Sequence, residues 1–155
     1  MIQLRVRSAA DIAAWVPTML KTYTEQRIEA GENPESARTN GAAQIGQLFP
    51  DGKPSEGQHV MDVLDGDEVV GLLWMGRPFG SADKAWFVFY VEIDEAHRGR
   101  GLGRAAMQAA EEWTVEHDGT RVALNVFGPN MVARALYDSL GFQVMGTTMF
   151  KDVGA

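Results

Sequence analysis

The chain has 155 residues, 45% of them hydrophobic, and its 21 acidic residues outnumber its 14 basic residues to give a formal net charge of −7. This length and composition are typical of one soluble globular domain, so we expect a single domain over residues 1–155. The acidic balance argues against binding to nucleic acid. Because the chain has no cysteine, disulfides, thiolate metal sites and a cysteine nucleophile are excluded.

No stretch of the sequence predicts a membrane anchor or a metal centre. Residues 1–11 lack the apolar core of a signal peptide, and no run approaches the roughly 20 apolar residues of a membrane span. We therefore expect a cytoplasmic protein without a membrane partner. His59, His97 and His117 are far apart in sequence and lack the spacing of zinc ligands.

The N-terminal part predicts a strand followed by a long helix. Residues 2–7 alternate apolar and polar side chains, as a half-buried strand does. Ser8 is placed to cap a helix that runs to about Ala30. Pro17 lacks a backbone donor and clashes with the preceding turn, so this helix is expected to kink or break near Trp15.

A second helix and a β-hairpin follow. Asn33 and Pro34 form a typical helix start, a capping residue and then a proline, for a helix over residues 35–49. Apolar runs then flank an Asp-Gly turn signal, which predicts a hairpin. The predicted strands are residues 59–64 and 69–75, and a further turn is predicted at residues 80–83.

Residues 87–113 combine a strand, a basic glycine loop and a helix in immediate succession. Residues 87–93 are almost continuously apolar, which is typical of a strand buried on both faces. The loop Arg98-Gly99-Arg100-Gly101-Leu102-Gly103 leads directly into an amphipathic helix expected to stop at Gly119. Free amides and the dipole at a helix start favour phosphate, so the loop predicts a phosphate site.

Glycine loops of two other kinds also bind phosphate groups. No Gly-Lys-Ser or Gly-Lys-Thr follows, so the loop is not a Walker loop. Gly101, Gly103 and Ala106 match the alanine variant of the dinucleotide fingerprint, which keeps a nicotinamide cofactor in consideration. Against it, the strand ends at Ile93, well before Gly101, and no acidic residue for the ribose follows the strand at residues 122–126.

The C-terminal part predicts a strand, a helix and two short strands. The strand covers residues 121–127, and Asn130 is available to cap a helix that ends at Gly141. Residues 142–145 and 147–151 close the chain as strands separated by one glycine. The order βααβββαβαββ predicts an α/β fold in layers, with a mixed central sheet of about seven strands and helices on both faces.

The glycine loop and the block after it resemble the GNAT-type N-acetyltransferases, the superfamily that moves an acetyl group from acetyl-coenzyme A to an amine. The loop is similar to the family's pyrophosphate signature, Arg/Gln-x-x-Gly-x-Gly/Ala. Leu124-Asn125-Val126, Asn130, Tyr137 and the Leu140-Gly141-Phe142 turn are similar to the family's later strand, helix and terminal turn. Together the two blocks span about residues 87–144. The resemblance implies the GNAT acyl-coenzyme A N-acyltransferase fold.

The resemblance also implies where acetyl-coenzyme A binds. In this family the strands on either side of the glycine helix splay apart, and the pantetheine arm pairs with backbone that corresponds here to Val91–Ile93. The amides of residues 98–103 are expected to hold the pyrophosphate. Three side chains are expected to help, unless they are solvated surface charges: Arg98, Arg100 and Arg104.

Three further residues have candidate roles in binding or catalysis. Tyr137 matches the family's tyrosine that faces the coenzyme sulfur and protonates the leaving thiolate, although it could also be a core tyrosine. Glu92 is the candidate base, with a pKa that burial at the strand end would raise; its alternative is a glutamate that reaches solvent or pairs with arginine. Some family members use water relays. Asn130 could contact the coenzyme, but capping its helix explains it equally well.

The sequence therefore predicts an N-acetyltransferase that acts on a primary amine of a small molecule or peptide, by direct attack in a ternary complex. The alternatives are a non-catalytic acyl-coenzyme A sensor and, third, a nicotinamide-dependent enzyme. Trp15, Tyr23 and Trp74 could line the acceptor pocket or fill the core. The acceptor itself and homodimer formation are left open.

Overall fold

A computed structural model describes residues 1–77 and 84–154, so the turn predicted at residues 80–83 lies outside the described residues. Short 3-10 turns occupy Pro50–Gly52 and Glu95–His97. The helices and strands follow in the order β1 (Ile2–Val6), α1 (Ala9–Glu29), α2 (Pro34–Leu48), β2 (Gln58–Asp65), β3 (Glu68–Gly76), β4 (Ala85–Ile93), α3 (Leu102–Glu116), β5 (Arg121–Leu124) and α4 (Met131–Ser139).

The strands form one mixed sheet in the order β1-β2-β3-β4-β5. β1 to β4 pair with their neighbours in antiparallel fashion, whereas β4 and β5 are parallel. A parallel pair needs a long connection, and α3 supplies it. The mixed sheet predicted from the order of elements is confirmed.

Helices cover both faces of the sheet, as predicted. Alternate residues of β2 and β3 point to opposite sides, as the pleat of a strand requires. Leu72 and Trp74 pack in a cluster with residues of α1 and α2, while Leu73 and Met75 pack in a second cluster with α3. Each fully buried aliphatic side chain of this kind contributes about 1.5–3 kcal/mol to folding.

The helix starts predicted from capping residues are confirmed. The Ser8 hydroxyl accepts a 3.1 Å hydrogen bond from the Asp11 amide at the start of α1. The Asn33 side chain accepts from the amides of Glu35 and Ser36, at 3.0 and 3.2 Å, at the start of α2. These side chains satisfy amides that have no partner within the helix.

Of the kink or break predicted near Trp15, the break does not occur, because α1 is one continuous helix of 21 residues that contains Pro17. Ile12 and Met19, which lie on either side of Pro17, are both buried. Their burial stabilises the helix on both sides of the proline and outweighs the loss of one backbone hydrogen bond.

α3 ends at Glu116, near the predicted stop, but Gly119 is not the residue that ends it. Asp118, with a φ of 58°, takes the left-handed conformation after α3. Gly119 is needed for another reason, since a Cβ there would lie 2.5 Å from both the Thr114 and the Trp86 side chains. The glycine therefore allows the chain to pass close to α3 and β4.

The prediction of about seven strands was also wrong, since the described sheet has five. β5 ends at Leu124 rather than residue 127. Residues 142–145 and 147–151 form neither strand nor helix, and the observed order is βααβββαβα. Alternating side chains show that a segment can form a strand, but a strand also needs a neighbouring edge, which the pattern does not identify.

Among the helices that the structure describes, none combines the length and apolar character needed to cross a bilayer.

Candidate active site

The candidate site is a cleft that opens where β4 and β5 diverge. Their pairing begins at Ala85 and Arg121 and stops at Val88 and Leu124. β4 continues to Ile93, whereas the chain after Leu124 leaves the sheet, so the two backbones separate. The space between them belongs to a cleft of about 970 Å³. This is the separation that the family resemblance predicted.

A β-bulge in β4 determines which side chains reach each side of the sheet. Trp74 pairs with Tyr90, and the next residue of β3, Met75, pairs with Val88. Phe89 is therefore the extra residue of the bulge. Phe89 and Tyr90 both pack against the cluster under α1 and α2, and Phe89 stacks on Trp74 with ring centroids 4.6 Å apart.

Val91 and Ile93, predicted as backbone contacts of the coenzyme, lie beyond this bulge. Their side chains pack against the cluster under α3, and both residues line the cleft. Glu92 lies between them and therefore points to the other side of the sheet, the side of Tyr90. The backbone of this segment faces the gap left where β5 ends.

The glycine loop presents free backbone amides at the start of α3. Gly99 and Gly101 have φ values of 78° and 75°, a conformation that glycine adopts without strain. A Cβ at either position would meet no atom within 4 Å, so the loop borders open space. In the described part of the chain, the amides of residues 99–104 have no hydrogen-bond acceptor. Such amides at a helix start bind anions.

The three arginines of this region contact protein groups instead of pointing freely into solvent. Arg98 donates to the Ile93 carbonyl at 2.9 Å. Arg100 lies 3.2 Å from the Asp65 carboxylate in the hairpin between β2 and β3. Arg104 donates to the hydroxyl of Ser139 on α4. The amides of residues 99–104 are the groups of this loop for which the described chain supplies no partner, and the roles of the three arginines in coenzyme binding stay a prediction.

Tyr137 lies on α4 and lines the cleft, where it is half-buried. Burial raises the pKa of its hydroxyl. Among the described residues this hydroxyl has no hydrogen-bond partner, while the ring packs 5.6 Å from that of Phe142. Tyr137 therefore offers a protonated donor whose hydrogen bond is unused by the protein.

Asn130 caps α4, as its position predicted. Its side-chain oxygen accepts a 3.2 Å hydrogen bond from the Ala133 amide. The residue also lines the cleft, so both functions considered for it remain compatible with its position. Gly103, on the facing helix α3, lies beside Leu136, where a Cβ would make an ordinary van der Waals contact at 3.6 Å.

Glu92 is neither buried nor isolated, in contrast to the environment expected for it. Its side chain is 45% exposed. One carboxylate oxygen accepts a 2.9 Å hydrogen bond from the Tyr90 hydroxyl, and the other lies 3.6 Å from the Arg98 guanidinium. The alternative considered for Glu92, a strand-end glutamate that reaches solvent and an arginine, describes this environment.

Tyr90 was missed by the sequence reasoning. Burial, and then the negative charge of Glu92, raise the pKa of its hydroxyl well above the usual value. It therefore remains a hydrogen-bond donor to that carboxylate. Tyr90 and Glu92 are two positions apart, which places them on the same face of a strand, and this spacing was the signal available in the sequence. The bulge that determines which face they share is not visible in the pattern.

The far end of the cleft is polar and is formed by α1 and α2. The Tyr23 hydroxyl donates a 3.0 Å hydrogen bond to the Gln44 side chain and thereby joins the two helices. Gln26 and Gln47 line the same end. The sequence reasoning missed the glutamines because polar residues on an amphipathic helix are normally assigned to solvent. Their i, i+3 spacing, Tyr23 to Gln26 and Gln44 to Gln47, was the available signal.

The three aromatic residues considered for the acceptor pocket or for the core have different positions. Tyr23 lines the cleft. Trp74 is 2% exposed and donates to the Gln58 side chain, so it is mainly a core residue at the base of the cleft. Trp15 packs edge-on against Trp74 and Tyr90, with ring centroids 6.1 and 5.6 Å apart.

Nothing in residues 1–77 and 84–154 resembles a metal centre, since no three His, Asp or Glu side chains lie close enough to share an ion. His59 and His117 lie in an aromatic cluster with Trp86 and Trp113. His97 contacts Arg100 beside the glycine loop, with 3.3 Å between their nitrogen atoms.

Comparison with known proteins identifies the family. The model of the acetyltransferase (GNAT) family matches residues 17–142, which include the whole of the cleft from α1 to α4. The chain belongs to the GNAT family of acetyltransferases. It is therefore an acyltransferase, and the family resemblance of the glycine loop and the C-terminal block is confirmed.

Two GNAT relatives from Bacillus subtilis are similar over most of their length. The uncharacterized N-acetyltransferase YycN is 26% identical over 152 residues, which cover 97% of this chain and 97% of YycN. The uncharacterized N-acetyltransferase YdgE is 31% identical over 133 residues, or 85% of this chain and 79% of YdgE. A crystal structure of YycN matches with a TM-score of 0.90 at 25% identity, with all of both chains covered.

A third relative is named as a specific acetyltransferase. The mycothiol acetyltransferase of Corynebacterium efficiens is 35% identical over 85 residues, which cover 55% of this GNAT chain and 28% of that protein. The similarity therefore extends over part of each chain only.

Proposed function

We propose that this GNAT protein binds acetyl-coenzyme A in the cleft between β4 and β5 and transfers the acetyl group to a primary amine of a small molecule or peptide. The observation that carries the proposal is the divergence of the two strands beside a loop of free amides. The divergence exposes strand backbone, and the amides of residues 99–104 offer an anion site at the same cleft.

The described residues fit acetyl-coenzyme A as a co-substrate. The open space next to Gly99 and Gly101 leaves room for a pyrophosphate against the backbone. The apolar lining around Val91, Met107 and Leu124 suits the pantetheine arm. The end of β4 pairs with β3 but has no strand beside it on the side of β5, so its backbone groups on that side could pair with this arm or polarise a carbonyl.

Acetyl transfer then requires three events, for which the cleft has candidate groups. The amine loses a proton, and Glu92 with its partner Tyr90 is our candidate acceptor. The amine nitrogen attacks the thioester carbonyl, and the C–S bond breaks as the tetrahedral adduct collapses. Tyr137 donates its proton to the departing thiolate, a role that suits a hydroxyl with no other partner.

We propose direct transfer in a ternary complex instead of an acetyl-enzyme. The chain has no cysteine to carry a thioester. Orientation of the amine against the thioester is then the main task of the protein. The named mycothiol acetyltransferase supports a small-molecule acceptor, and the polar wall of Tyr23, Gln26 and Gln44 supplies hydrogen bonds for one.

We also propose that residues 1–155 act as one acetyltransferase domain. The family match begins at residue 17, and the residues before it include β1, which pairs along its whole length with β2. Both core clusters therefore draw on the same continuous sheet.

Thiol release from acetyl-coenzyme A, followed with a panel of amines, tests the proposed function. We expect thiol release that depends on an amine from the panel. The product should be heavier than that amine by the mass of one added acetyl group. Tight binding of acetyl-coenzyme A without turnover of any amine, in a panel that includes amino sugars, polyamines and peptides, would favour the non-catalytic sensor instead.

A further inference from the structure

A chain of hydrogen bonds joins α1, the turn after it and α2 at the polar end of the cleft. Asn40 donates to Glu32 at 3.3 Å, and Glu32 also accepts from two nitrogen atoms of the Arg27 guanidinium. Arg27 in turn donates a long hydrogen bond of 3.5 Å to the Tyr23 hydroxyl. The Tyr23 hydroxyl donates to Gln44 at 3.0 Å, so the chain of hydrogen bonds ends in the wall of the cleft.

Arg27 determines the direction of these hydrogen bonds. A guanidinium has donors and no acceptor, so the Tyr23 hydroxyl can only accept from Arg27. The single proton of this hydroxyl is then left for Gln44, which must present its carbonyl oxygen to it. Arg27 is held in place, because its side chain is only 16% exposed, pairs with Glu32 and lies 5.4 Å from the centroid of the Tyr23 ring.

The amide of Gln44 is thereby oriented in one direction. Its oxygen faces Tyr23, so its NH2 group faces away from Tyr23. Among residues 1–77 and 84–154, this NH2 group has no hydrogen-bond partner, and Gln44 is a half-buried residue of the cleft wall. At this position the cleft therefore offers a ligand a fixed hydrogen-bond donor.

The other two glutamines of this wall, Gln26 and Gln47, are not fixed in the same way. Their side chains make no hydrogen bond within the part of the chain that the structure describes, so each amide can turn to present its oxygen or its nitrogen. Such groups accommodate donors and acceptors alike. Discrimination between the two kinds of ligand group therefore falls to Gln44.

We propose that Gln44 selects the acceptor amine by a second polar group, a neutral oxygen that accepts a hydrogen bond from its NH2 group. This inference rests on the proposed acetyl transfer. A hydroxyl or a carbonyl supplies such an oxygen, whereas a second ammonium has donors only and would lose hydration without gaining a partner. Arg27 is a positioning residue, because it acts on the substrate only through Tyr23 and Gln44.

The charges around the cleft separate this selection from simple attraction. The net charge of −7 attracts a diamine more strongly than an amino alcohol at long range, so a preference for the alcohol has to arise from short-range hydrogen bonds. A carboxylate on the substrate is poorly matched, since Arg27 is already paired with Glu32 and Arg98 lies 3.6 Å from Glu92. A neutral oxygen fits this wall best.

Three amines of matched length test the selection. Diaminobutane is compared with aminobutanol, in which a hydroxyl replaces one ammonium, and with aminobutanamide, in which a carbonyl oxygen lies near that position. We expect kcat/KM for thiol release to be about tenfold higher with at least one of the oxygen-bearing amines than with diaminobutane, which corresponds to about 1.4 kcal/mol. The better of the two identifies the oxygen as hydroxyl or carbonyl. An equal or higher value for diaminobutane overturns the proposal.

Gln44→Glu reverses the polarity of the wall and keeps an oxygen for Tyr23. We expect the ratio of kcat/KM values to shift about tenfold towards diaminobutane, because a carboxylate accepts from an ammonium. The same amines are compared in both proteins, so differences in their own reactivity cancel. Ala43→Glu adds the same charge at an exposed neighbouring position of α2 and should keep the native ratio. An equal shift in the two variants would mean that charge alone is responsible, which overturns the proposal.

Arg27→Met and Tyr23→Phe test the positioning of Gln44. In each variant the amide of Gln44 is free to turn, so the preference for the oxygen-bearing amine should fall towards one. A merely structural role would lower the rates with all three amines alike and leave their ratio unchanged. Thermal unfolding verifies that each variant is folded, and a native ratio in both folded variants would overturn the role assigned to Arg27.

Nuclear magnetic resonance of the glutamine NH2 groups separates this inference from the proposed acetyl transfer. The Gln44 signal is the one that is missing from the spectrum of Gln44→Glu. We expect aminobutanol or aminobutanamide, added to the native protein, to shift this signal, and diaminobutane to leave it in place. That result without acetylation of any amine would contradict the proposed acetyl transfer but support the selection. A Gln44 signal that no amine shifts, or that diaminobutane shifts equally, overturns the selection itself.

Discussion

The Tyr90 hydroxyl donates a 2.9 Å hydrogen bond to the Glu92 carboxylate, two residues further along β4. Arg98, from the start of the glycine loop, approaches the other carboxylate oxygen at 3.6 Å. The strand, its bulge and the loop thus fix one carboxylate at the edge of the cleft, where it remains 45% exposed and accessible to an amine or a water molecule. This arrangement differs from the desolvated environment expected for a base, but it holds the carboxylate in one orientation.

The Glu92→Gln variant tests whether this carboxylate accepts the amine proton. We expect kcat/KM for the amine to fall about 10²-fold near neutral pH, within the range for loss of a general base. The loss should shrink at a pH above the pKa of the amine, because the amine is then already deprotonated. Initial rates of thiol release against pH measure both effects.

Tyr90→Phe is the matched control for Glu92→Gln, since it removes the hydrogen bond and keeps the carboxylate. It should lower the rate by less than Glu92→Gln does. An unchanged rate and an unchanged pH profile for Glu92→Gln would show that the proton leaves by another route, such as a water relay.

Tyr137→Phe is expected to lower kcat about 10²-fold with little change in the KM for acetyl-coenzyme A, because only the proton donor is lost. Burial raises the pKa of Tyr137 above its ordinary value of about 10, so the native rate should not fall at mildly alkaline pH through ionisation of this group.

The stability of Tyr137→Phe provides its control. The hydroxyl has no hydrogen-bond partner among the described residues, so the free energy of unfolding should change by less than about 0.5 kcal/mol. Native kcat in Tyr137→Phe, with a confirmed amine substrate, would remove the assigned role.

Gly101→Ala tests the glycine loop as the pyrophosphate site. The φ of 75° costs a residue with a Cβ about 1–2 kcal/mol, and the new methyl group projects into the space proposed for the coenzyme. We expect the KM for acetyl-coenzyme A to rise about tenfold, a change of about 1.4 kcal/mol in binding.

Gly46→Ala is the matched control for Gly101→Ala. Gly46 lies within α2, and a Cβ there would also meet no atom within 4 Å. Because alanine is the better helix former, this variant should be more stable by up to about 1 kcal/mol and should bind acetyl-coenzyme A normally. Thermal unfolding and steady-state kinetics distinguish the two glycines, and an identical KM in both would argue against the loop.

His59 predicts a loss of stability in mild acid. Burial, and then the nearby His117 charge, lower the pKa of His59 in the folded protein. The unfolded chain therefore binds the proton more readily, so the contribution of His59 is complete above about pH 6.5 and is lost as the pH falls through its folded pKa. Urea unfolding at pH 8 and pH 5 should show a smaller decline for His59→Gln than for the native chain.

The part of the site that could be predicted from the sequence is the part encoded by neighbouring residues. The apolar run of β4, the glycines at positive φ and the capping Asn130 are local signals, and each identified an element that the structure contains. The motif spacing of the loop and of Tyr137 then identified two sides of one cleft.

The remainder depends on contacts between distant segments. The bulge at Phe89 arises from the register of β4 against β3, and it determines where Tyr90 points. The polar wall of Gln26 and Gln44 requires α1 and α2 to lie side by side. The two missing strands have the same explanation, because periodicity describes a strand but not the edge with which it pairs.

Isothermal titration calorimetry of the native chain with acetyl-coenzyme A tests the central claim most directly. The account predicts saturable binding at one site per chain, weakened about tenfold in Gly101→Ala, as expected for one impaired phosphate contact, and unchanged in Gly46→Ala. No saturable binding by the folded native protein, or equal binding by the native chain and Gly101→Ala, would contradict it.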